Sequence, residues 1–81
     1  MKFEELDSVK TLRDFPNDGI KKGEIGTVVA TFTKPNEAYE IEFCSDTGET
    51  KAMFAILPDD LELLLFDNPF SINKLKYASG K

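Results

Sequence analysis

Residues 19–29, GIKKGEIGTVV, place three glycines and two adjacent lysines directly before a β-branched run. Such a stretch invites a phosphate-cradle reading. A nucleotide phosphate loop has the pattern G-x-x-x-x-G-K-[ST], and here the Lys-then-hydroxyl pair after the last glycine is missing. The residues after Gly26 continue as a strand, so no helix N-terminus follows to hold an anion. Glu40 and Glu42 lie two apart in an alternating segment, with Cβ atoms roughly 6–7 Å apart on one strand face. That spacing suits an acid/base pair or a hard cation, and equally a solvated face. Asp59 and Asp60 follow a proline, where turn capping explains them and no EF-hand spacing is present. Cys44 is the one cysteine and there is no histidine. This removes the commonest general base, the histidine-dependent nucleophile arrangements and the usual transition-metal ligand. The sequence therefore predicts a non-catalytic protein with no metal site and no cofactor.

The elements that position these residues read as strands. Segment 38–44, AYEIEFC, alternates Tyr39, Ile41 and Phe43 with Glu40 and Glu42, as a strand with one dry and one wet face does. Segments 8–13, 25–32, 50–57 and 61–66 complete five, from their β-branched and apolar content. Turn residues separate them: Pro35-Asn36 in one connection, Asp46 and Gly48 in the next. Strands two to four should form an antiparallel meander. LPDDL (57–61) predicts a single 3-10 turn set by Pro58.

These features give an all-β fold, a five-stranded SH3-like barrel over 1–66, with a one-turn 3-10 helix before the last strand. In it, Gly19 and Gly23 permit positive φ in a tight double-back. Gly26 permits a bulge or close crossing, and Ile20 and Ile25 plug the barrel end. Residues 67–81 form a C-terminal tail, in which Phe70, Ile72, Leu75 and Tyr77 fit a short docked helix or a homodimer contact, and the last residues read as disordered.

Charge separates classes of partner. The formal net charge is −5, with 7 basic and 14 acidic residues in 1–66 and 3 basic and 1 acidic in 67–81. A body at −7 repels phosphate backbones, which argues against nucleic acid. One cysteine and the absence of an apolar leader or a spanning segment predict a cytoplasmic chain with no membrane association.

The pattern D-x-V-x-x-L, D-x-P, then G-x-x-x-G-x-x-G-T-V-V is met at Asp7, Val9, Leu12, Asp14, Pro16, Gly19, Gly23, Gly26, Thr27, Val28 and Val29. It continues at Tyr39, Glu40, Glu42 and Phe43, and at Pro58, Asp59, Asp60, Leu61 and Glu62. Over residues 4–65 the chain resembles a bacterial family of small stand-alone proteins, the domain of unknown function DUF4926, with Ile20 and Ile41 as mild variants. The resemblance implies the barrel fold and no particular activity. The first half also resembles KOW barrels and the barrel of the nitrile hydratase β subunit, a fold-level likeness.

SH3-like barrels bind peptides on an aromatic groove beside the long first loop. Here that loop is 14–24. The candidate partner-binding residues are Phe15, Pro16 and Asp18, with Tyr39 or Tyr77 as wall residues and Glu40 and Glu42 as an acidic face. The expected function is a protein-interaction module for a basic protein partner, in the manner of an antitoxin. The alternatives are a nucleic-acid- or ribosome-associated barrel using Lys21, Lys22, Lys34 and Lys51, and an accessory subunit of an enzyme.

Overall fold

The computed structural model of the chain describes residues 1–65. The expected tail at 67–81 lies outside the described residues. The strands are β1 (Ser8–Thr11), β2 (Ile25–Phe32), β3 (Ala38–Cys44), β4 (Thr50–Ile56) and β5 (Leu61–Leu63). Two 3-10 turns interrupt them, Pro16–Asp18 and Pro58–Asp60. All pairings are antiparallel, in the order β4-β3-β2-β1-β5. A meander of β2, β3 and β4 with β5 returning to pair with β1 is the SH3-like barrel topology.

Alternation decides what each strand buries. Tyr39, Ile41 and Phe43 of β3 point into the core, joined by Phe3, Val9, Phe15, Ile20, Val28, Ile56 and Leu61. Such a core is thin, as expected for a short chain. β1 is shorter than the sequence predicts because Asp60, which faces Leu12 in the register with β5, belongs to the second 3-10 turn; the Leu12 N–H still donates to Asp60 O at 2.9 Å. The first 3-10 turn was not legible; Pro16 at its start presets φ, and Gly19 closes it with φ 70°.

Two details correct the expected packing. Ile25 does not plug the barrel: it pairs with Lys10 on the outer phase and is 51% exposed. The bulge falls at Val29, where Val28 pairs with Ile41 and Ala30 with Glu40. Gly26 serves the other expected purpose, close approach of β2 to β3. A Cβ there would lie 2.5 Å from Ile41 Cγ2 and 2.9 Å from the backbone oxygen of Glu42.

Gly26→Ala is therefore expected to lower unfolding stability by about 1–3 kcal/mol, since the backbone oxygen cannot yield. Denaturant unfolding of the full chain checks this. A midpoint equal to wild type would refute the close-packing argument.

Candidate functional site

The loop that resembled a phosphate cradle uses its own donors. Thr11 is buried, and its Oγ1 donates to Lys21 O at 2.8 Å and accepts from Glu24 N at 3.1 Å. The Lys22 N–H goes to Asp14 Oδ1 at 2.7 Å, the Lys21 N–H to Glu24 Oε2 at 2.8 Å, and the Gly23 N–H to Thr11 O at 2.9 Å. No amide of the Lys21–Gly23 stretch is left to meet an anion. Glu24 also pairs with Lys51 at 2.8 Å. The Lys51 ammonium and the Lys21 amide hold its carboxyl below the usual carboxylate range.

Beside this loop, Phe15 is 8% exposed and packs against Phe54 with ring centroids 5.4 Å apart. Arg13 covers the Phe15 ring at 4.1 Å and is held by Asp60 at 3.1 Å. Phe15 is thus a core residue with a cationic lid and not an open groove wall. Pro16 and Asp18 are exposed at the loop tip.

Tyr39 requires the larger correction. It is fully buried, so it forms no wall of a surface groove. A buried phenol needs hydrogen-bond partners. Its hydroxyl accepts the Lys2 N–H at 2.7 Å and the Phe3 N–H at 3.1 Å, and donates to Glu37 Oε2. The ring of Phe3 meets Tyr39 edge-on at 5.1 Å. Burial, followed by the hydrogen bond to Glu37, pushes the Tyr39 hydroxyl above its ordinary value. The hydrogen bond from Tyr39, followed by the Lys2 amide, holds Glu37 below its own. Tyr77, the other expected wall residue, lies outside the described residues.

Glu40 and Glu42 sit together on the outer face of β3, opposite the buried phase. Their cross-strand neighbours are small or apolar: Ala30 and Ala55 flank Glu40, and Thr27 and Met53 flank Glu42. Phe32 and Ala38 form the next row of the same face. Met53 is 54% exposed and Phe32 40%. Glu42 accepts the Thr50 hydroxyl. Among the described residues no cation lies within ion-pairing distance of either glutamate; the ion pairs are Lys10–Glu62, Arg13–Asp60 and Lys51–Glu24.

Sequence reasoning found the two glutamates and marked Phe32 as an aromatic beyond what the core phase needs, but it missed Met53. Period-two reading gives Phe32 the phase of Val28, which is inward. The extra residue at Val29 reverses that phase, so Ala30 and Phe32 emerge beside Glu40 and Ala38. Met53 could have been placed by pairing the two alternating strands across the turn at 45–49. Cys44 is exposed. No cluster of three metal-ligating side chains exists among the described residues. No helix among them is long and apolar enough to cross a membrane.

The fold and the surface together define a small SH3-like barrel domain with an acidic, apolar-flanked outer sheet face. The chain belongs to the family described as Domain of unknown function (DUF4926), whose model matches residues 5–63, a span that includes all five strands. No curated protein and no solved structure matched the sequence.

Tyr39→Phe should cost about 1–3 kcal/mol, because two amides and a carboxylate lose a shared partner. In the Tyr77→Phe background, Tyr39 is the single phenol. Its ultraviolet titration is expected above the usual value of 10. A folded value raised in this way contributes stability below pH 10 that is lost as pH rises through the folded value. Glu37 has the opposite sign: its contribution is present above 4.5 and is lost as pH falls through its lowered folded value. Tyr39→Phe should weaken this acid limb as well. A titration at or below 10 would refute the buried arrangement.

Proposed function

We propose that this protein is a non-catalytic interaction module that binds a basic protein segment on the outer face of β2, β3 and β4. The carrying observation is the pair Glu40 and Glu42, unpaired among the described cations and set between Ala30, Ala55, Met53 and Phe32. A cationic amphipathic partner would satisfy both features, its charges meeting the glutamates and its apolar groups covering Met53 and Phe32. Pro16 and Asp18, exposed at the loop tip, are further candidate contacts. The net charge of −7 over 1–66 supports a basic partner over a nucleic acid. Blocking a basic protein in the manner of an antitoxin is the narrower form of this reading, with the cytoplasm as its setting.

Support for the ribosomal alternative is weaker than the fold likeness suggests. Of the lysines it would use, Lys51 is already committed to Glu24.

An affinity capture with the tagged full chain tests the proposal, run with and without nuclease at low and moderate salt. The expected result is one basic protein, retained after nuclease and weakened by salt. The Glu40→Lys/Glu42→Lys variant should bind it at least about tenfold more weakly, for the loss of two favourable charge contacts and their reversal. Capture that disappears with nuclease, or that is indifferent to the double variant, would overturn the reading.

A further inference from the structure

β4 ends the sheet, in the order β4-β3-β2-β1-β5, and among the described residues no strand pairs with its far edge. Hydrogen bonds elsewhere in the sheet fix which of its backbone groups face that edge. The Thr11 N–H donates to Glu24 O and the Val28 N–H to Asp7 O, so Glu24, Gly26 and Val28 turn their backbone groups to β1. Alternation turns Thr27 to Glu42 of β3, and then Ile41 and Phe43 to Phe54 and Ala52 of β4. The N–H and C=O groups of Met53 and Ala55 therefore point away from the sheet, and they have no backbone partner among the described residues. This regular stretch, 52–56, is bounded by the register shift before Ala52 and by Pro58 after it.

We propose that the basic partner segment is bound as an added β-strand along this edge of β4. The inference rests on the interaction-module reading and specifies the partner's backbone conformation. A regular, exposed strand edge is a template for such pairing. The flanking side chains select a basic, alternating segment. On the outer face, a residue of the added strand beside Ala55 lies two strand spacings, roughly 10 Å, from Glu40. Ala55 presents only a methyl, so a lysine or arginine there can lay its stem across it and bring its charge to Glu40. The next residue on that face would cover Met53, which is exposed. On the inner phase, Ala52 and Phe54 are half-buried against the core, and apolar residues beside them would extend it. A second copy of this chain is disfavoured as the occupant, because it brings a body of the same sign, −7 over 1–66.

The test is amide hydrogen exchange followed by NMR on the full chain, with a short peptide of alternating lysine and valine as the probe. In the free protein the Met53 and Ala55 amides are expected to exchange fast and those of Ala52 and Phe54 slowly. Saturating peptide should protect Met53 and Ala55. Two further peptides carry backbone N-methyl groups, one on its lysines and the other on its valines, with every charge kept. The one methylated on its pairing edge should bind at least about tenfold more weakly than the other, for the loss of its N–H donors. Ala55→Pro removes an outward N–H and leaves the ladder intact. It should weaken binding likewise, with the Phe54 amide still protected. Protection of Met53 and Ala55 before peptide is added would overturn the proposal, since the edge would already be paired. Equal affinities of the two methylated peptides would overturn it too; if binding were then still lost in the Glu40→Lys/Glu42→Lys variant, the acidic-face reading would stand without strand addition. Absence of any peptide binding would also overturn strand addition, and the affinity capture judges the wider reading separately.

Discussion

One oxygen atom fastens three parts of this barrel. The Tyr39 hydroxyl is carried to its place by β3 and accepts the amides of Lys2 and Phe3 while donating to Glu37. The requirement behind it is general: a phenol taken out of water must find partners or pay for the loss. Meeting that requirement pins the N-terminal segment across the barrel, some 36 residues away in sequence. That segment then delivers Phe3 to a core of ten residues among those described, where one aromatic ring is a large share. Lys2 also reaches Pro58 O at 3.3 Å, extending the same fastening to the turn that introduces β5.

The acidic residues divide by what their oxygens already hold. Asp7 accepts the Glu4 amide, Asp14 the Lys22 amide, Glu24 the Lys21 amide, and Glu37 the Lys2 amide. Asp60 holds Arg13, and Glu62 faces Lys10 at 3.5 Å. These carboxylates fix turns and strand ends by bonding backbone N–H groups or neighbouring cations. Glu40 and Glu42 meet neither a backbone amide nor a cation among the described residues, Glu42 accepting only the Thr50 hydroxyl. Net charge alone does not separate Glu40 and Glu42 from the acids engaged in this way.

Much of the fold was legible in the residues. The bounds of β2 and β3, the turn at Pro58–Asp60 and the need for Gly26 follow from alternation, proline and glycine. What was not legible depends on pairing between strands. Alternation puts Tyr39 on the dry face with Ile41 and Phe43, yet its hydroxyl allows a groove-wall reading until the N-terminal amides that occupy it are known. Ile25 reads as a barrel plug until its partner proves to be Lys10. Phe15 reads as a groove wall until Arg13 is found stacked on it. In each case a contact that alternation does not show decides the surroundings of the side chain.

The bulge at Val29 links the fold to the surface on which the proposed function rests. Without the extra residue, Val28, Ala30 and Phe32 would share one inward phase. The barrel would then bury another ring, and the outer face of β2 would lack its large apolar group. With it, Val28 stays in the core while Phe32 joins Ala38, Glu40 and Met53 outside. A chain with so thin a core gives up buried area by this arrangement, at about 25 cal/mol for each Å² left in water. Bulges commonly re-aim side chains beside functional sites.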